Sequence, residues 1–244
     1  MIPLILWQLR WRLLVVLVIC CGFYVADPNL HAHDAASALE AAGTPPPGEI
    51  ALGIANLAAA SMLVLLAGFV STDRRRGYYR IYFSHPTRPL AYYALRWLLA
   101  YGLTMVVSAG FLVVAQLAAW GELRVGMGAM VQPALFALVY GGLVAFASVA
   151  FPRGDSLIAL GTWFVTAFWV EFLGFFFDAG LQPPMAIAAR QAVTFVLPPH
   201  TALGDITAAA QAGYTAWGAI GFASGYGVFW LAAAALLLWS REWP

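Results

Sequence analysis

The sequence contains no lysine and little charge of either sign: 9% of its 244 residues are charged, and 63% are hydrophobic. A soluble domain carries about 25% charged residues. The missing lysine excludes a Walker A phosphate loop, which needs G-x-x-x-x-G-K-[ST], and it excludes Schiff-base chemistry. If the protein works with ATP, another chain must bind it. Cysteine is nearly absent. Cys20 and Cys21 stand side by side in an apolar run, where they read as small membrane-facing residues rather than a disulfide or metal pair. They do not complete a lipobox, because Ile19 and Cys20 occupy the place of its small residue. Tyr24 stands where a cleavage site before Asp27 needs a small residue, so no cleaved leader is expected. No histidine lies within a long apolar run, which argues against a buried bis-histidine haem. G-x-S-x-G and H-E-x-x-H are absent, so no catalytic residue is assigned.

What fills the chain instead is apolar sequence. A mean hydropathy of +0.82 and several apolar runs near 20 residues indicate an all-α, polytopic membrane protein. Six spans are expected, at 13–26, 50–70, 92–119, 131–151, 156–177 and 214–239. Ile2 to Trp11 is amphipathic and reads as an interfacial helix, with Trp7, Trp11, Arg10 and Arg12 suited to the headgroup region. The first span is short, so Arg10 and Arg12 are expected to snorkel out of it. Residues 27–49 form a polar loop. Its His31-Ala32-His33-Asp34 stretch offers three ligands at most, and a solvated loop is the better account than a metal site. Pro183-Pro184 and Pro198-Pro199 bracket 185–197, an apolar piece too short to span. It either lies on the surface or dips inward under protein cover.

The remaining charge is concentrated. Arg74, Arg75, Arg76, Arg80, Arg88 and Arg96 all fall between Ser71 and Trp97. Tyr78, Ile81 and Tyr82 share one side at helical spacing, and Pro86 and Pro89 end the stretch. It reads as a short surface helix between the second and third spans. With six spans, these arginines share one side with Arg10, Arg12, Arg153 and Arg241. Arg124 and Arg190 fall on the other side. Ten against two puts the first side, and both chain ends, in the cytoplasm. Three arginines could also serve only as a topology signal that meets anionic lipid. Nucleic acid is not an expected partner.

Two further features stand inside the apolar runs. Gly221-x-x-x-Gly225 gives a small-residue face for close helix approach, either within the chain or to a second copy. The adjoining Ser224-Gly225-Tyr226-Gly227 sits in an uninterrupted apolar run, which suits packing rather than an ion filter. Glu171 lies deep in the fifth span, which marks it as a functional candidate or as half of a structural pair. Arg190 is the nearest outer basic residue in sequence, and a Glu171–Arg190 pair is expected to hold an outer gate.

The order Asp73-Arg74-Arg75-Arg76-Gly77, then Tyr78 to Phe83, then Ser84-His85-Pro86, resembles the segment after the second span of type-2 ABC permeases. Arg96 stands where a basic residue opens the third span in that family. The resemblance of the segment covers about a tenth of the chain, and the six-span plan extends it to nearly full length. It implies a coupling helix at 73–85 that docks on a separate ATPase. Asp73, Arg74, Arg75, Arg76, Gly77, Tyr78, Arg80, Ile81, Tyr82, Ser84 and Pro86 would carry that docking. The family often has Glu where Arg75 and Arg80 stand, which implies a more acidic groove on the partner. The resemblance also implies that 185–197 is re-entrant. It implies two membrane subunits per exporter, with ATP and Mg on the ATPase and no cofactor in this chain. The bacterial inner membrane is the expected location. Two rival classes are a non-transporting anchor for a cytoplasmic partner and an intramembrane enzyme built on Glu171.

Overall fold

The computed structural model describes residues 2–26, 47–78, 88–123, 126–151, 153–167 and 197–240. Every described element is helical: α1 (Ile2–Ala26), α2 (Pro47–Leu66), α3 (Ser71–Arg75), α4 (Pro89–Trp120), a 3-10 turn (Met127–Met130), α5 (Val131–Ala150), α6 (Asp155–Ala167), α7 (His200–Gln211) and α8 (Trp217–Ser240). Among the described residues, five stretches are long and apolar enough to cross a membrane: Ile2–Gly22, Leu52–Arg75, Pro89–Leu117, Gly128–Ala150 and Trp217–Ser240. The expected fifth span, 156–177, coincides with α6 as far as Ala167 and then leaves the described residues.

Two boundaries differ from the sequence-based reading. The expected interfacial helix and first span are one uninterrupted helix, α1. No glycine or proline separates Trp11 from Leu13, and a single buried face of Ile5, Leu9, Val16 and Cys20 runs along both halves. Arg12 therefore points inward instead of snorkelling, while Arg10 stays exposed over the rings of Trp7 and Trp11. Cys20 likewise faces the core, and only Cys21 faces outward. The second difference is α7, a short helix in what reads from sequence as a connection.

Helix α5 is the hub, packed most extensively on α2 and α8 and also on α4 and α6. It carries no charged residue and is buried along most of its length. Its small residues set how closely its neighbours approach. A Cβ on Gly142 would lie 2.5 Å from the carbonyl oxygen of Gly227 in α8, and a Cβ on Gly227 would lie 2.7 Å from Leu138 Cγ. On an adjoining face, Gly141 leaves room for Met62 and Trp97, and Trp97 Nε1 donates to the Gly141 carbonyl at 3.0 Å. Gly221 and Gly225 play no such part within the chain. Both are exposed, and a Cβ on either meets nothing within 4 Å.

Helix α7 has 12 residues, about 18 Å, so it does not span. It packs against the first halves of α2, α5 and α8. Its start is buried, and two prolines suit that position because neither has an N–H to satisfy there. Pro198 and Pro199 are both buried, and the Leu203 amide closes on the Pro199 carbonyl at 3.0 Å. Gln132 Nε2 of α5 donates to the Leu203 carbonyl at 3.2 Å. Gly213, at φ 80°, ends the helix, with the Tyr214 amide reaching back to the Ala209 carbonyl at 3.0 Å.

The glycine geometry generates a contrast. Gly142→Ala and Gly227→Ala should each lower the thermal stability of the purified chain by about 1–3 kcal/mol, the ordinary cost of overpacking. Gly221→Ala and Gly225→Ala should leave the protomer's melting temperature unchanged. Equal effects at all four positions would mean that α5 and α8 do not cross at Gly142 and Gly227.

Candidate functional site

The site is built around a break in a membrane helix. Helix α2 stops at Leu66, Ala67 to Val70 form a turn, and the chain resumes as α3. Gly68 makes the turn possible. It sits at φ 64°, and any Cβ there would collide with the Thr72 side chain. Leaving helical geometry frees backbone groups that the next turn would otherwise use. In apolar surroundings each orphan costs several kcal/mol.

Side chains from three other helices take up these groups. Arg12 of α1 donates from Nη1 to the Leu65 carbonyl at 2.8 Å. Arg96 of α4 donates from Nη1 to the Phe69 carbonyl at 2.9 Å. Ser148 of α5 accepts at Oγ from the Val70 and Ser71 amides, at 2.8 and 3.1 Å. The broken helix is thus stitched to α1, α4 and α5 at consecutive positions.

The same residues carry a buried charge network. Arg96 Nη1 lies 2.9 Å from Asp73 Oδ2, with both side chains under a tenth exposed. Tyr93 donates its hydroxyl to the same carboxylate oxygen at 3.3 Å. Ser71 Oγ donates to Asp155 Oδ2 at 2.9 Å, which ties α3 to the first residue of α6. Arg74 donates to the Val149 carbonyl at 3.2 Å. Phe69 packs edge-on to Tyr93 at 5.4 Å and lies under the Arg96 guanidinium at 5.5 Å. Asp73, Arg96 and Asp155 are buried and Arg12 and Arg74 are half-buried, so two acids face three arginines at the junction.

The expected docking residues divide here. Asp73 is buried at 5% exposure, and Arg74 is half-buried, so both point into the bundle. Arg75 and Arg76 are exposed, and Arg76 lies over the Tyr78 ring at 5.9 Å. The helix expected over 73–85 does not run through: α3 ends at Arg75, and Gly77 at φ 68° turns the chain. Arg80, Ile81, Tyr82, Ser84 and Pro86 lie outside the described residues, as do Glu171, Arg190, His31 and His33. Sequence reading missed Arg12, Ser148 and Asp155. Arg12 and Arg96 each had a usable signal, an arginine more than a turn inside a continuous apolar helix. Ser148 had none, being one small polar residue in an apolar run.

A buried ion pair is costly to break and cheap to replace. Asp73→Asn and Arg96→Gln should each destabilise the chain by about 3–5 kcal/mol, because each leaves the other charge buried and unpaired. The double variant should cost clearly less than the sum, read as a double-mutant cycle on thermal unfolding in detergent. Additive losses would show that the two groups act independently.

No family model matches this chain, and neither the curated proteins nor the solved structures searched give a match.

Proposed function

We propose that the chain is the membrane-spanning subunit of an ATP-driven exporter of the type-2 ABC kind, docking through 73–85 on a separate ATPase. The observation that supports this reading is where the basic segment leaves the bundle. Arg75 and Arg76 are exposed one and two residues after the buried junction at Asp73 and Arg74. A partner that pulls on that segment pulls directly on Asp73, and through Arg96 on α4. Through Ser71 it also acts on Asp155 of α6 and Ser148 of α5. A mere topology signal needs positive charge but no such linkage to the spans.

In this reading the ATPase holds ATP and Mg, and its closure drives the switch between inward- and outward-facing states. The chain itself is not an enzyme and needs no cofactor. Two membrane subunits form one pathway in a bacterial inner membrane, with both ends of this chain in the cytoplasm. The glycine face at Gly221 and Gly225 and the exposed side of α8 are available to the second subunit or to lipid. Glu171 and Arg190 remain the gate candidates.

The test uses the exposed and buried arginines separately. Arg75→Glu with Arg76→Glu should release a co-purifying ATPase while thermal stability stays within about 0.5 kcal/mol, the usual range for surface changes. Arg96→Gln should leave the ATPase bound but abolish its stimulation by the membrane subunit. An ATPase that never co-purifies overturns the reading. So does stimulation that survives both variants, which would leave a membrane anchor. A cysteine at Gly77 should also resist labelling from outside intact cells, and one at Glu40 should react; the reverse pattern would rule out cytoplasmic docking.

A further inference from the structure

We infer that His200 is a proton-operated latch that holds α7 against the middle of α5, two turns from the charged junction. This does not depend on the exporter reading. The latch is an unusual contact for an apolar cluster. His200 Nε2 and the Tyr140 hydroxyl are 2.6 Å apart, and the imidazole lies beside Phe136 and Tyr140, with ring centroids 5.2 and 5.9 Å away. Tyr140 is fully buried near the midpoint of α5. In the tautomer that carries its proton on Nδ1, the neutral ring accepts the phenol's hydrogen bond at Nε2. A protonated ring donates from both nitrogens, so the contact then reverses, with the phenol oxygen accepting, and it holds a cation inside the apolar cluster.

Two further effects oppose the charged form while α7 is docked. His200 is the first residue of α7, where the helix dipole is positive and a cation is disfavoured. The surroundings also offer no described counter-charge. On α5 the facing titratable group is Tyr140, and on α8 the titratable member of the same cluster is Tyr226; both are phenols. The α2 residues in that cluster are Ala55 and Ala59. The one acid on α2, Glu49, stands in its first turn, before this cluster. On α7 itself, Asp205 is exposed.

The direction follows from linkage. Burial pushes the docked imidazole down to about 4, from 6.5. The undocked ring therefore binds the extra proton between these values. Docking is fully supported above about pH 6.5 and weakens as pH falls toward 4. Acid on that side of the membrane would release the first turn of α7. It would then open the cluster that Phe136, Leu203 and Tyr226 close.

Hydrogen exchange of the purified full chain, corrected for intrinsic rate, reads the latch directly. Between pH 7 and pH 4.5, amides of 203–211 should lose protection by tens of fold, as the two titration midpoints require. Amides in the second half of α5 should hold theirs. His200→Gln keeps an acceptor for Tyr140 but cannot ionise, so its α7 protection should not change with pH. Tyr140→Phe should lower α7 protection already at pH 7. Wild-type protection that is flat over this range overturns the latch. So does a pH-dependent loss that persists in His200→Gln, or one shared equally by α5.

Discussion

A helix that breaks inside apolar surroundings must have its freed backbone groups satisfied by something, and that requirement organises this bundle. Gly68 permits the break, and a collision with Thr72 excludes any larger residue there. The freed carbonyls of Leu65 and Phe69 fall to Arg12 and Arg96, and the freed amides of Val70 and Ser71 fall to Ser148. With Arg96 buried and Arg12 half-buried for this purpose, acids join them. Asp73 and Asp155 do so, each with a neutral hydroxyl as a further partner. A purely apolar bundle would be easier to assemble, since buried ion pairs seldom stabilise relative to well-packed hydrophobic residues. What the polar arrangement supplies instead is register: each of α1, α4, α5 and α6 is tied at one level to the same short stretch of chain.

How much of this could be read from sequence depended on the kind of signal. Four of the long apolar helices, α2, α4, α5 and α8, were legible to within a few residues of their observed bounds, because a run near 20 apolar residues has few other uses. In the structure Pro89 opens α4 and Gly121 caps its end. The continuity of α1 was not legible. Arg10 and Arg12 look alike in sequence, yet they lie about 200° apart on a helix, so one reaches lipid level and the other the core. The same ambiguity affected Asp73. Beside three arginines it reads as part of a surface cluster, and only its contact with Arg96, 23 positions away, shows that it faces inward. Helix α7 was missed because 198–213 mixes prolines, glycines and small residues, with little of the apolar length that marked the other helices.

Glycine patterns taught a related lesson. Gly221-x-x-x-Gly225 has the spacing associated with close helix approach, but the close approach within the chain is made by Gly227 against Gly142. Spacing identifies a helix face that is smooth. It does not identify which smooth face meets a neighbour. Here α8 turns Tyr226 and Gly227 inward and leaves Gly221 and Gly225 outward. Both faces of α8 are thin enough for tight packing, and the chain uses one of them.

The two polar clusters differ in a way that suits different behaviour under load. At the arginine-rich end the contacts are charged, buried and mutually dependent, so removing any one strands a charge or a backbone group in a medium that cannot solvate it. Such a cluster moves as a unit or not at all. Among the described residues, the contacts of α7 include an imidazole–phenol bond and an amide–carbonyl bond, both neutral, with apolar packing around them. Loss of the first leaves a hydroxyl that can turn to another acceptor, and it strands no ion while His200 stays neutral. The bundle therefore combines a charged cluster with a neutral one, both joined to α5. Ser148 lies near one terminus of that helix, and Tyr140 lies two turns away near its middle. Ser148 and Tyr140 are joined by one continuous, nearly fully buried helix. At its middle that helix meets α7 through the neutral contact between Tyr140 and His200.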